Sequence, residues 1–396
     1  MGAGAIKMRK MLIALTMFAA PLLGSGPAMD RGFDHFYNLE YAEAKAEFEK
    51  ALAAAPQNPE KYNHLAQAIL YGEMFHAGAL ESELVTGNNP FLHLPKIKPS
   101  AKDLARFDEC IVKAIALAQA QLNRNDNDTN AMYTLGISFG LRSNVNFLVR
   151  KAWIDSLRDA STARKLHNRV TELDPSNIDA RLVQGLYDYV VGSLPFHYKL
   201  LGFLAGYRGD RDRGIRTVKL VAEKGNLNKL DAQVALAALY RRERRAQEAV
   251  PLLEDLVQRM PRNFLLRLEQ VQMFADLGRK DDALRVLSQL EELKRAGKLK
   301  LMPVEKIYYS RGSLLFWYRE YDEALMNLGK ATAHAQDLDL NTIVNAWLRT
   351  GQSLDMKAQR AKAMDAYQHA IAEAPDSDAA KEAKRYLTNP YRRTER

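Results

Sequence analysis

The sequence predicts an all-α protein: a solenoid of antiparallel helix pairs with inserted loops and helices and a closing cap helix. Three observations carry this expectation. Turn formers are sparse, with 22 glycines and 14 prolines in 396 residues, which argues against a turn-dense β protein. Apolar residues make up 47% and charged residues 27%, enough to build a core along most of the chain. A two-helix pattern also recurs with a period that touches 34 residues. The single cysteine, Cys110, excludes an internal disulfide framework and a cysteine-based zinc site.

The first element reads as an address rather than as structure. Lys7, Arg9 and Lys10 precede an apolar run from Met11 to Leu23, and Gly24, Ser25, Gly26, Pro27 and Ala28 follow. A basic start, a short apolar stretch and a small-residue exit make a secretory signal. The run is shorter than the roughly 20 residues a bilayer crossing needs. Residues 1–28 are therefore expected to be a signal peptide cleaved after Ala28, with an uncleaved anchor as the alternative. No cysteine follows the run, so a lipoprotein anchor is not expected. In a bacterial setting the mature chain is expected to be periplasmic or secreted.

Residues 29–377 are expected to form about eight helix pairs. Tyr41, Ala44, Phe48, Ala51 and Pro56 give the first second-helix pattern. Small residues stand where two helices approach, a large one fills the gap, and proline ends the helix. The pattern returns at Ala163-His167-Val170, Gly214-Val218-Val221, Ala249-Leu253-Leu256, Ala283-Leu287-Leu290, Ala324-Leu328-Ala331 and Ala363-Tyr367-Ala370, and more weakly at Ala114-Ala118-Gln121. First helices carry Gly32, Ala66, Gly136, Gly185, Ala237, Val271, Gly312 and Gly351 at the contact position, where only Val271 is not small. These residues and spacings resemble the tetratricopeptide repeat superfamily over nearly the whole mature length. The resemblance implies a right-handed superhelix whose concave groove binds a peptide or a partner helix. Physically, each pair has an apolar face that only a neighbour can bury. Asp378 to Thr388 (378–388) reads as a cap helix, with Ala379, Ala383 and Leu387 packing inward, and 389–396 as a flexible basic tail.

Intervals longer than the period mark insertions near 71–104, 142–162 and 190–210. The first, with Glu81, Glu83, Gly87, Asn88, Asn89, Pro90, Phe91, Pro95 and Pro99, has loop chemistry. The second contributes Arg142, Asn144 and Asn146 as candidate partner-binding residues, with Trp153 expected in the core. The third runs through Tyr187, Tyr189, Gly192, Ser193, Leu194 and Pro195 to Gly206, Arg208, Gly209, Asp210, Arg211 and Gly214. Residues 185–225 resemble the tetratricopeptide repeat domain 39 family, relatives of the yeast inclusion body clearance protein. That family has a Ser-Leu-Leu-Pro turn, where here Pro195 follows Leu194 directly, and a Gly-x-x-Gly-Asp-Arg-x-x-Gly turn. The resemblance implies a scaffold role. Tyr187, Tyr189, Arg208, Asp210 and Arg211 join the candidate partner-binding set. Asp210 is also placed to cap the following helix, and Arg211 to pair with a carboxylate.

Charge and chemistry narrow the function. Formal net charge is +9, and 12 basic against 5 acidic residues lie between Lys199 and Arg245. With the apolar stretch Val190 to Tyr207 beside it, the 190–245 segment offers a membrane-associated envelope assembly factor as an alternative. No nucleic-acid motif accompanies the charge, so nucleic acid is not an expected partner. Gly136-Ile-Ser138-Phe-Gly140 matches a nucleophile pattern that needs a strand-to-helix turn, yet it falls within a first helix. Phosphate loops, dinucleotide fingerprints and H-E-x-x-H motifs are absent from the sequence. His167 is expected to be a packed core residue and Cys110 buried and inert. The reading is a non-enzymatic exported scaffold for a protein or peptide ligand, with no cofactor and no metal. An enzyme with a site in the insertions is the second alternative.

Overall fold

Small-on-large contacts between consecutive helices build the molecule, and a computed structural model describes them for residues 27–80, 97–193 and 208–393. The expected signal falls almost wholly outside the described residues. So do residues 81–96 of the first insertion, residues 194–207 of the third, and the side chain of Trp153. The described residues form 17 α-helices, one π-helical turn and one 3-10 turn. The chain divides into two compact units, residues 1–75 with 95–243 and residues 76–94 with 244–396.

The helices of unit one are α1 Pro27–Tyr37, α2 Tyr41–Ala54, α3 Pro59–His76, α4 Ala101–Leu122, α5 Thr129–Val145, α6 Trp153–Leu173, α7 Arg181–Gly192, α8 Arg211–Lys224 and α9 Lys229–Arg242. Unit two holds α10 Ala246–Arg259, α11 Phe264–Asp276, α12 Lys280–Arg295, α13 Val304–Trp317, α14 Tyr321–Thr332, α15 Leu340–Met356, α16 Arg360–Glu373 and α17 Asp378–Thr388. Within each unit helices pack on their sequence neighbours, as α1 on α2, α5 on α6, α7 on α8, α13 on α14 and α15 on α16.

The contact predicted from spacing is present atom by atom. A methyl group at Gly32 would lie 2.4 Å from the Phe48 ring, one at Gly136 2.5 Å from the His167 ring, and one at Gly351 2.4 Å from the Tyr367 ring. One at Gly312 would lie 2.7 Å from Leu328. Glycine in each first helix thus lets the large second-helix side chain seat against backbone. Leu253, Leu287, Leu328 and Tyr367 are fully buried, each aliphatic member contributing about 1.5–3 kcal/mol of transfer free energy. Helix starts are capped by Ser100, Asp128, Asp210, Asn263, Asp339 and Ser377, whose side chains accept a backbone N–H two or three residues into the helix.

The turns inside the hairpins share one feature that the pattern does not announce. Leu39, Arg244, Gly278, Arg319 and Ala358 all stand at positive φ, between 56° and 73°. Only Gly278 is the residue type that takes this conformation freely.

The expected flexible tail requires correction over residues 389–393. The Tyr391 N–H donates to Asp355 at 2.8 Å, its ring packs on Phe316 and Tyr386, and Arg393 donates to the Trp317 carbonyl at 2.9 Å. Asp355 is the buried hub. It also accepts from the Tyr367 hydroxyl at 2.9 Å and from Arg360 at 3.1 Å. Arg360 in turn donates to the last carbonyls of α17, Tyr386 and Leu387. The tail is held because its aromatic ring and backbone complete this cluster. Residues 394–396 lie outside the described residues.

Candidate functional site

The eight residues singled out in the sequence do not converge on one surface. Arg142 forms a two-pronged pair with Asp159 at 2.7 and 2.8 Å and lies over the Phe139 ring. Asn146 donates to the same Asp159 at 3.0 Å and accepts from Arg150, which itself grips Asp108. This network ties α5 to α6 and to α4 across the π-helical turn Asn146–Arg150. Asn144 is buried, and its side-chain NH2 has no hydrogen-bond partner.

Tyr187 and Tyr189 are buried in α7. Arg164 lies 4.1 Å over the Tyr187 ring, and the Tyr189 hydroxyl donates to Glu243 at 2.8 Å. Arg211 pairs with that same Glu243 at 3.2 Å. Asp210 caps α8 by accepting from the Arg213 N–H at 2.8 Å. That backbone donor is the main cause that holds its carboxyl below the usual value. Arg208 is exposed at the edge of the described residues.

The glycines of this stretch explain the motif. A methyl at Gly214 would lie 2.4 Å from the Tyr189 nitrogen, and one at Gly192 2.2 Å from the Arg211 nitrogen. The Gly-Asp-Arg sequence lets α7 and α8 touch backbone to backbone, caps α8 and anchors it through Glu243. Of the basic residues in the 190–245 segment, Arg211, Arg213, Lys219 and Arg245 pair with carboxylates, and Arg242 lies over Tyr189. Of the apolar stretch proposed to meet a membrane, residues 194–207 fall outside the described residues, and Val190 is buried at the end of α7. No helix among the described residues is long and apolar enough to cross a membrane.

Ser138 is buried in α5 and donates to Asn63 at 2.8 Å. His167 is buried, and burial pulls its imidazole down to about 3. Burial likewise pushes the Cys110 thiol up to about 12. These three side chains serve packing.

A different set of residues gathers within unit one. Tyr37 at the end of α1 donates to Asp231 in the first turn of α9 at 3.1 Å, a contact between residues 194 apart. Tyr71 of α3 and Tyr133 of α5 stand close enough that the Asp231 charge raises both phenols, after burial as the main cause. Asn228, the residue before α9, donates to the Tyr133 hydroxyl at 2.5 Å and to the Asp179 carbonyl at 3.1 Å. The Asp179 carboxylate accepts the N–H groups of Asn226, Leu227 and Asn228 at 2.9–3.1 Å. Burial pushes the Asp231 carboxyl well above the usual carboxylate range, and Asp179 adds to the rise against the Tyr37 hydroxyl.

Two cavities open beside this cluster. One, of about 260 Å³, is lined by Asn130, Tyr133, Asp174, Asp179, Lys224, Asn226 and Leu227 among others. The second, of about 550 Å³, lies over Pro56, Asn58, Glu60, Gln121, Asp128, Asn130 and Thr134. Asn130 lines both. Most of these residues sit on first helices and the turns before them, while Gln121 and Lys224 lie at the ends of the second helices α4 and α8. Sequence reasoning passed over them because each is a single polar or aromatic residue on an otherwise apolar helix. The available signal was the run of polar residues at buried positions of α3, namely Lys61, Asn63, His64 and Gln67.

No family model matches the chain, and no curated protein matches it. Among solved structures, it is similar to TTC0263, a tetratricopeptide repeat protein of Thermus thermophilus, at 16% identity over 62% of this chain and 97% of that one, with a TM-score of 0.34. It is similar to yeast Tom70 at 14% identity, over 92% of this chain and 90% of that one, with a TM-score of 0.36. Human IFIT1, solved as a dimer with m7Gppp-AAAA, is similar at 14% identity over 94% of this chain and 83% of that one, with a TM-score of 0.47. The fold assignment itself, an all-α array of helices packed in consecutive pairs, rests on the helix register described above.

Proposed function

We propose that the protein is a non-enzymatic scaffold that binds a protein or peptide along the first-helix face of unit one. One observation carries this reading. The Tyr37–Asp231 hydrogen bond joins α1 to α9, and the surface around it holds three tyrosines, unpaired acceptors and two adjoining cavities. Tyrosine supplies large amphipathic contact area at low entropic cost, the composition of a recognition surface. The resemblance of residues 185–225 to the tetratricopeptide repeat domain 39 family supports a scaffold role. The first 28 residues support export, with a periplasmic or secreted mature chain. Amino-terminal sequencing of the exported protein is expected to begin at Met29; a start at Met1 removes the cleavage reading.

Selection from a random-sequence peptide display library on the purified full chain tests the scaffold reading. Enriched sequences are expected to lose binding at least tenfold in Asn130→Trp, which fills both cavities from α5. Peptides that bind this variant and the native chain alike, or no enrichment at all, refute the groove. Flotation with anionic vesicles at low salt separates the membrane-associated alternative.

A further inference from the structure

Asp231 has no cation. Its Oδ1 accepts from Tyr37, but its Oδ2 is buried without a hydrogen-bond partner. No lysine or arginine among the described residues forms an ion pair with it. One turn earlier, Asn228 turns its NH2 to Tyr133 and to the Asp179 carbonyl. That leaves its Oδ1 buried and unpartnered as well. Both residues are more than nine-tenths buried, at 7% and 1% exposure. Three residues apart at a helix start, they lie on one side of the first turn of α9. A buried acceptor left unmade is costly, and a buried carboxyl without a cation is driven toward its neutral form, as burial drives Asp231; a cation seated beside it restores the charge. Two such acceptors in one helix turn call for a donor, and the carboxyl favours one that carries positive charge.

The surroundings specify the donor. Tyr37, Tyr71 and Tyr133 face Asp231 from α1, α3 and α5, the acidic groups Asp179 and Glu60 act on this cluster, and Lys224 lines the adjoining cavity. Among the described residues no group of three or more histidine, cysteine or carboxylate side chains could hold a metal ion. A compact cation with several donors fits two acceptors and an aromatic wall, which is the description of a primary ammonium. The 260 Å³ cavity reaches Tyr133 and the turn before Asn228 from outside.

We propose that Asp231 and Asn228 seat the primary ammonium of a bound peptide, walled by Tyr37, Tyr71 and Tyr133. The inference rests on the peptide-binding reading of this same surface and gives the ligand its chemistry. The ammonium could be a lysine side chain or a chain's first amino group, and the test separates the two.

The direct probe is n-butylammonium chloride titrated into the full chain, followed by the ring resonances of selectively labelled tyrosine. Saturable shifts are expected in the native protein and at least a tenfold weaker response in Asp231→Asn. That variant keeps an acceptor for the Tyr37 hydroxyl, and circular dichroism checks its fold. Sodium chloride at equal ionic strength is the control. No saturable shift, or equal shifts in the variant, overturns the inference. Peptides from the display selection then serve as the second probe. Acetylating the α-amine is expected to abolish binding if the chain terminus is the source, and Lys→Gln if the side chain is. Selected peptides that tolerate both changes leave the scaffold standing and overturn the ammonium site. Butylammonium binding with no peptide enriched supports the site and refutes the scaffold.

Discussion

Ala358 turns the chain between α15 and α16 at φ 57°, a conformation that costs an L-residue about 1 kcal/mol or more. Its side chain is exposed, so nothing is lost by removing it. Ala358→Gly is expected to raise the unfolding free energy of unit two by up to about 1 kcal/mol, reduced by the extra freedom glycine gives the unfolded chain. Leu39 shares the conformation but is buried, so Leu39→Gly is expected to destabilise; paired denaturant titrations check both signs. Gly351 is the opposite case. An alanine there would press on the Tyr367 ring at 2.4 Å, and that ring cannot retreat because its hydroxyl is tied to Asp355. Gly351→Ala is expected to cost about 1–3 kcal/mol by overpacking. His167 gives unit one a dependence on acidity. Burial holds its pKa near 3, against about 6.5 in the unfolded chain. Between these values only the unfolded state takes up the proton, so this contribution is complete above pH 6.5 and is lost as pH falls toward 3. His167→Leu is expected to flatten the stability profile in that window relative to the native chain, by up to about 1.4 kcal/mol per pH unit.

At the scale of the element, the cap helix α17 shows how a repeat array ends. Its apolar residues Ala380 and Ala383 are buried, while Arg360 of α16 holds its final carbonyls. An arginine at this place satisfies acceptors that the helix leaves open. Arg360→Ala is expected to speed amide exchange across 378–393 without changing that of α13, measured by mass spectrometry. Much of this level was legible beforehand. The pairing of Gly32 with Phe48 or Gly312 with Leu328 is local, so the spacing of small and large residues announces it. The docking of Tyr391 was not legible, because a basic, polar tail hides one aromatic residue whose partners lie in three different helices. The candidate residues of the 142–162 and 185–211 stretches were visible as unusual chemistry. That chemistry serves helix contacts: Arg142 to Asp159, and Arg211 to Glu243. The acceptors around Asp231 gave no local signal, since their meaning depends on α1, α3, α5 and α9 meeting.

The whole molecule is two compact units, and a repeat array divided in this way unfolds in more than one step. Its tryptophans are divided too, with Trp153 in unit one and Trp317 and Trp347 in unit two. A variant with Trp317→Phe and Trp347→Phe is expected to report unit one alone by fluorescence. Its midpoint in urea should differ from that of the circular dichroism signal, and coincident curves would mean a single cooperative transition. The bond between Tyr37 and Asp231 also sets a timetable. Most contacts here join sequence neighbours and can form as each hairpin leaves the ribosome. This one cannot form before α9 has been made. Until then the start of the chain lacks one of its native partners, and closing a span of 194 residues adds an entropic delay that neighbouring hairpins do not face.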